Sequence, residues 1–224
     1  MMSIKNALRN RPVGEIAATL PGATAVFRNF KLDFCCGGDA ILADAVRRRG
    51  LEIEAVEAAL AALDPSDAVS APEATGALID HIVSRYHETH RRELPELILL
   101  ARKVEAVHAA HVEAPKGIAD TLGAIYAELE KHMQTEEADL FPLMRKDDAG
   151  NSLSVAQLRH DHDRHGELLR RLESLANGFV LSEGACRSWE ALYAGSAKLV
   201  DDVMEHIHLE NNVLFPRFER REAA

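Results

Sequence analysis

Residues 201–218 read DDVMEHIHLENNVLFPRF, and residues 126–144 read YAELEKHMQTEEADLFPLM. Aligned on His206 and His132, which stand 74 positions apart, the two stretches share one pattern. An acid lies four before the histidine (Asp202, Glu128), a glutamate four after it (Glu210, Glu136), and Leu-Phe-Pro follows: [DE]-x3-H-x3-E-x3-L-F-P. On an α-helix, residues four apart lie about 40° apart around the axis and about 6 Å apart along it, so the histidine and glutamate of each copy point the same way. One such pair is an ordinary feature of a solvated helix face. A doubled pattern with a third acid at a matching offset is not.

Working outward, the sequence from about residue 75 reads as helix. GALIDHIVSRYHETHRRELPELILLARKVEAVH carries apolar residues at intervals of three and four, with Pro95 expected to kink or split it. KGIADTLGAIYAELEKHMQTEEADLFPLM continues that period, and Pro142 falls near its end. A third helix is expected after DDAGNS, with Ser152 or Ser154 as N-cap, running to about Asn177, where Asn177-Gly178 supplies a stop. A fourth begins after LSEG and runs to about Phe218. Four long amphipathic helices with short connections predict an antiparallel up-down-up-down four-helix bundle in an all-α protein.

In a bundle core, imidazole and carboxylate from two helices can converge on two metal ions, each glutamate bridging the pair; this donor set suits iron, and also manganese or zinc. The acids one turn earlier, Glu128 and Asp202, are placed to accept the histidines' other N–H. Two H-x3-E pairs supply four ligands, so the other helices should add more. The first offers HIVSRYHETH and the third RHDHDRHGEL. His87 stands 45 before His132 and His162 stands 44 before His206, a closely matched combination, with His90 an additional candidate. His81, His108, His111, His160, His165 and His208 read as surface or hydrogen-bonded core residues.

Composition bounds the rest. Hydrophobic residues make up 47% and charged residues 28% of 224, a balance that does not predict disorder. A net charge of −10 argues against phosphate-backbone binding, so no nucleic acid partner is expected. The start, MMSIKNALRNRPVGEIAATL, lacks a signal-like apolar core, and no apolar run of about 18 residues occurs, which predicts no membrane association and a cytoplasmic location. Three cysteines, two of them adjacent, fit reduced thiols. All 11 histidines fall between His81 and His208. LDPSDAVSAPEATG breaks the periodicity, which sets a small helical domain at 1–63, a linker at 64–74 and the bundle at 75–224.

The small domain carries KLDFCCGGDAILADAV. Gly37 and Gly38 permit unusual backbone angles, and Asp39 is expected to cap a following helix. Cys35 and Cys36 would then precede a helix N-terminus, where the dipole favours thiolate and makes the pair reactive or metal-receptive. Cys186 reads as a packing residue.

LDFCCGG in a short N-terminal domain, followed by RYHETHR, EKHMQTEEADLFP, HDHDRHGEL and DDVMEHIHLENNVLFP, resembles the iron–sulfur cluster repair di-iron proteins, also called repair-of-iron-centres proteins. The likeness covers nearly the whole chain. It implies a hemerythrin-like bundle holding two non-haem iron ions with a bridging oxo or hydroxo group, and a role in restoring clusters damaged by nitric oxide or oxidants. Carried over by motif, the ligands are His87, His132, Glu136, His162, His206 and Glu210. Glu128 and Asp161 match acidic positions near the family's site, Asp161 being a shorter acid than the glutamate found there. Cys35 and Cys36 match the family's signature and are the candidate catalytic thiols. The implied partners are damaged iron–sulfur proteins, with nitric oxide or oxygen as small ligands; nitric oxide reduction is one activity such a centre allows, and a homodimer is admitted. The alternative is a hemerythrin-like module that binds or senses oxygen, nitric oxide or iron without repair.

Overall fold

The structure, a computed structural model, describes residues 8–64, 71–146 and 155–219. Among these residues there is no strand; one antiparallel bridge pairs Pro12 with Ile41. The chain divides into two compact units, Met1–Leu78 with Met204–Ala224, and Ile79–Val203. The expected linker at 64–74 falls largely on residues outside the described set, as do Ser152 and Ser154.

In the first unit four short helices, α1 (Val13–Thr19), α2 (Ala23–Asn29), α3 (Leu42–Arg48) and α4 (Ile53–Ala61), are each too short to stand alone in water. They are held by a common core of Val13, Ile16, Phe27, Phe34, Leu42, Val56 and Leu60. Gly22, at φ +83°, supplies the left-handed turn between α1 and α2 that a side chain would strain. Arg9 reaches from before α1 to the buried carboxylate of Glu57 on α4 with two hydrogen bonds, of 2.9 and 2.6 Å. That pairing keeps a buried charge from standing alone.

The long helices follow, most of their length within the second unit. Helix α5 (Thr75–Ile82) runs through a π-helical turn, Val83–His87, into α6 (Glu88–Val107); α7 (Ile118–Thr135) runs through a second, Glu136–Leu140, into α8 (Phe141–Arg145). Helix α9 covers Val155–Leu175, and α10 (Arg187–His208) is followed by a third π turn, Leu209–Leu214, and α11 (Pro216–Glu219). The four arms of the bundle are α6, α7, α9 and α10. Pro95 lies inside α6 without splitting it; the departure from α geometry comes earlier, at 83–87.

Each arm buries one seam. On α7 the seam is Ile118, Leu122, Ile125, Leu129, then His132; on α9 it is Leu158, His162, His165, Leu169, Leu172. This 4-3-4-3 spacing turns one stripe inward along the whole helix. Glu105 accepts from the backbone N–H of Gly117 at 2.7 Å and caps the start of α7 across the connection from α6. Charged pairs rim the seams: Arg91–Glu130 joins α6 to α7, Arg164–Glu128 joins α9 to α7, and Lys198–Glu93 joins α10 to α6.

Candidate metal centre

The seams explain why these histidines are interior. In α7, His132 follows Leu129 at the next seam position and Glu136 follows four later, so the apolar stripe passes directly into a polar one. His87, Glu136 and His162 are fully buried, and His132 nearly so. His132 Nε2 stands 2.9 Å from His162 Nε2 and 3.2 Å from Glu136 Oε1, while His87 Nε2 stands 3.6 Å from Glu136 Oε2. Two nitrogens each about 2.1 Å from a shared cation and at right angles to one another would lie about 3.0 Å apart.

Glu136 supplies the test of fit. Neither of its oxygens has a hydrogen-bond partner among the described residues, although the side chain is wholly buried. A carboxylate in that position costs several kcal/mol, on the order of the effective penalty for a buried ion, unless a cation meets it. With imidazole nitrogens on both sides, this is a place where a cation belongs.

Glu137, a residue the sequence pattern passed over, orients the first of those imidazoles. Its carboxylate accepts from His87 Nδ1–H at 2.7 Å, which leaves Nε2 with its lone pair on the Glu136 side. Arg91 Nη1 donates to the same oxygen at 2.8 Å, and Arg91 Nε to Glu130 at 2.8 Å. Burial pushes the Glu137 carboxyl up, but the bonds from Arg91 and His87 outweigh it and hold it below the ordinary range. His87 also stacks on Phe141 of the Leu-Phe-Pro tail, centroids 5.8 Å apart, so that tail packs against a candidate ligand as well as ending the helix.

The acids expected behind the histidines are occupied elsewhere. Glu128 takes Arg164 at 2.7 Å. Asp202 takes Arg85 and Lys198, each at 2.7 Å, and these cations hold its carboxyl low against the opposing effect of burial. Asp161 accepts from Gln157 at 3.3 Å and lies 3.9 Å from His132 Nδ1, beyond hydrogen-bond range. Glu128 and Asp202 each stand one residue before the seam position that precedes the histidine, Leu129 and Val203, and so turn toward the arginine and lysine side chains that reach them. His165, read as a surface or hydrogen-bonded core residue, is buried with its ring 5.0 Å from that of His132; His90 is buried beside Tyr86. The seam spacing was the signal for both.

The second copy of the motif belongs to the unit formed by Met1–Leu78 and Met204–Ala224. His206 Nε2 lies 2.9 Å from Glu210 Oε1, both buried. Beyond Glu210 the chain reaches the cysteine loop: Asn211 Nδ2 donates to the Cys35 carbonyl and Asn212 Nδ2 to the Phe34 carbonyl, each at 3.0 Å. Asn212 Nδ2 also lies 2.9 Å from His208 Nδ1, donating to an imidazole that burial and Arg28 hold neutral, with a pKa lowered to about 4.

Each of the three π turns carries a candidate ligand: His87 ends the first, Glu136 opens the second, and Glu210 is second in the third. A π turn inserts a residue into the helical count and re-aims the side chains around it, which is why such turns gather at functional sites.

The cysteines differ from expectation. Helix α3 begins only at Leu42, with Ile41 at its N-cap, so Asp39 does not cap it and Cys35 and Cys36 do not sit at its first turn. The Cys35 thiol is pushed well up by its contact with Cys36, by burial and by Asp33. Cys186, expected to be packing, is half-exposed with Sγ 3.1 Å from His108 Nε2, and its pKa is lowered to about 7 by that histidine and by the backbone N–H of Trp189.

Residues 78–218 match the hemerythrin HHE cation binding domain, and residues 9–64 match a domain of unknown function, DUF542. The chain is 46% identical over 220 residues to the iron–sulfur cluster repair protein YtfE of Pectobacterium atrosepticum, an alignment covering 96% of this chain and 100% of that one. It is 44% identical over 216 residues to proteins of the same name from Escherichia coli O17:K52:H18 and Citrobacter koseri, covering 94% of this chain and 97% of each. No helix among the described residues is long and apolar enough to cross a membrane.

Proposed function

The chain belongs to the family of iron–sulfur cluster repair proteins that carry a hemerythrin HHE cation binding domain, and from that premise we propose that it restores iron–sulfur clusters damaged by nitrosative or oxidative stress. In this reading His87, His132, Glu136, His162, His206 and Glu210 would hold two non-haem iron ions with an oxo or hydroxo bridge. The single observation that supports it best is Glu136, a buried carboxylate with no hydrogen-bond partner among the described residues, flanked by the Nε2 atoms of His87 and His132. When bound, the iron supplies open positions for nitric oxide or oxygen and metal that can be given up to a broken cluster. The protein's part is to orient the ligands and exclude water. Glu137, itself fixed by Arg91, sets the His87 ring so that Nε2 and not Nδ1 faces Glu136. The seam residues above His132 and His162 keep bulk water from the carboxylate.

Damaged iron–sulfur proteins are the proposed partners, in the cytoplasm, with a homodimer admitted. The proposed division of labour follows the division of the sequence: 75–224 holds the metal, and 1–63, joined through 64–74, brings Cys35 and Cys36 to the repair reaction. Family matches at 9–64 and 78–218 support that division. Purified iron-loaded protein added to an iron–sulfur enzyme inactivated by nitric oxide should restore its activity beyond what an equal amount of free ferrous salt achieves, and Glu136→Ala should not. Recovery no better than with the salt would leave a module that binds or senses oxygen, nitric oxide or iron.

A further inference from the structure

The loop Leu32–Gly38 presents three donors that the bundle does not use. Successive side chains of an extended chain point to opposite sides, so neighbouring cysteines seldom bring their sulfurs together. Here they do: Cys35 Sγ and Cys36 Sγ are 3.6 Å apart, and Asp33 Oδ1 is 3.5 Å from Cys35 Sγ. The convergence is built by the fold. Asp33 Oδ1 accepts from the backbone N–H of Cys36 and of Gly37, each at 3.0 Å, which curls the chain back over its own carboxylate. Asn212 and Asn211 then hold the carbonyls of Phe34 and Cys35 from the other side. Gly38 allows this closeness, since a Cβ there would meet Asn212 Oδ1 at 2.9 Å and the Gly14 Cα at 3.1 Å.

These separations can be set against coordination geometry. Two thiolates at about 2.3 Å from one tetrahedral ion lie about 3.8 Å apart, and a thiolate and a carboxylate oxygen at about 2.1 Å lie about 3.6 Å apart. The observed edges fall within a few tenths of an ångström of both. Ligand atoms of Asp33, Cys35 and Cys36 all lie within 4.8 Å of one another. Cys35 is buried while Asp33 and Cys36 are half-exposed, so the group has a dry inner side and an outer side from which an ion can enter. Three closely placed acidic groups repel one another once ionised. A divalent cation removes that cost and displaces the thiol protons.

We propose that Asp33, Cys35 and Cys36 form a second metal site, which binds one thiophilic divalent cation of the ferrous or zinc class through two thiolates and one carboxylate oxygen. Binding forms two metal–sulfur bonds and one metal–oxygen bond, releases the two thiol protons to solvent, and changes no oxidation state. The group, with three protein donors on a half-exposed loop, leaves the fourth tetrahedral position to water or an incoming ligand. None of these donors belongs to the proposed iron ligands of the bundle, so the site can be tested apart from them, although Cys35 and Cys36 are the thiols that the repair reading also uses.

The test uses the full chain with its bundle already filled with iron, titrated anaerobically with cobalt(II), whose bonds to thiolate give near-ultraviolet charge-transfer absorption that bonds to histidine and carboxylate do not. One equivalent of cobalt should produce that absorption with release of two protons. Cys186→Ser should retain it, the Cys35→Ser/Cys36→Ser double variant should abolish it, and Asp33→Asn should weaken cobalt binding at least tenfold. No thiolate absorption in the unaltered protein, its loss in Cys186→Ser, or unchanged affinity in Asp33→Asn would each overturn the proposal. Should the double variant fold poorly, the unaltered protein still decides the matter. Zinc must then protect Cys35 and Cys36 from alkylation, as mapped by peptide mass, while leaving Cys186 open; alkylation of all three at unchanged rates refutes the site.

Discussion

The two copies of the His-x3-Glu motif share histidine, glutamate and Leu-Phe-Pro tail and differ in the residues just after the glutamate. Glu136 is followed by Glu137, Glu210 by Asn211 and Asn212. Glu137 turns to His87 and Arg91 and so supports another candidate ligand. Asn211 and Asn212 turn to the carbonyls of Cys35 and Phe34 and so fasten the thiol loop. The repeated letters thus state what the two helices have in common, a histidine and a carboxylate on one seam. The letters that fail to repeat state what each helix is attached to. A carboxylate serves the first task because it accepts from an imidazole N–H; an amide serves the second because a backbone carbonyl needs a donor.

If the shared part holds the metal, disrupting it should have the largest effect in either copy. Glu136→Ala and Glu210→Ala should each lose most of the bound iron and the absorption of a bridged centre, measured by metal analysis and by optical spectra of the anaerobically loaded protein. Full iron retention by one variant and not the other would show that the copies are not equivalent and break the comparison. The unshared part should act more mildly and separately. Glu137→Ala should weaken iron binding about 10- to 100-fold, the usual scale for removing the group behind a ligating histidine, with Glu137→Gln recovering most of the loss. Chelator competition measures this. Asn211→Ala should leave the same measurement unchanged.

The fold was legible because a seam needs only spacing, and spacing is written in the sequence: Ile118, Leu122, Ile125, Leu129 predicts both the helix and the direction in which His132 faces. Matching distances between the halves singled out His87 and His162, and both are buried. The role given to Glu128 and Asp202 did not survive, because each stands beside a seam residue, Leu129 or Val203, where the choice between an imidazole and an arginine depends on what the neighbouring helix presents. Glu137 was hidden for the complementary reason. It lies beside Glu136 in the sequence, a spacing that on a regular α-helix points away from the seam, and its approach to His87 comes with a π turn that begins at Glu136. No local pattern of residue types announces such a turn.

On the cysteine side, the close packing depends on Gly38. Alanine there would press its Cβ against Asn212 Oδ1, the Phe34 carbonyl and the Gly14 Cα, at 2.9, 3.1 and 3.1 Å, and two of those three contacts are backbone that cannot step aside. Gly38→Ala should therefore cost about 1–3 kcal/mol, the range for overpacking a tight contact. Chemical denaturation of the metal-free protein gives the number. A loss within a few tenths of a kcal/mol would mean that the loop is not held against Asn212 as closely as the structure has it.

The smallest expected effect concerns which thiol is activated. Cys35, held by the second motif's asparagine, stays protonated well above the ordinary thiol range, through Cys36, burial and Asp33. Cys186 is influenced the other way, first by His108 Nε2 at 3.1 Å and then by backbone N–H groups at the start of α10. A lowered pKa means the thiolate is present above about pH 7 and lost as pH falls through that value, whereas an ordinary thiol near pH 8.5 is only a few per cent ionised at neutrality. Alkylation by iodoacetamide, followed residue by residue with mass spectrometry against pH, should show Cys186 reacting with a midpoint of about 7 and Cys35 still slow where Cys186 has levelled off. His108→Ala should move the Cys186 midpoint up toward that of a free thiol and leave Cys35 unchanged. Were Cys35 instead the faster of the two in metal-free protein, the loop tied to Asn211 would be a nucleophile in its own right, and the contrast between a motif that orients a ligand and one that secures a guarded thiol would have to be redrawn.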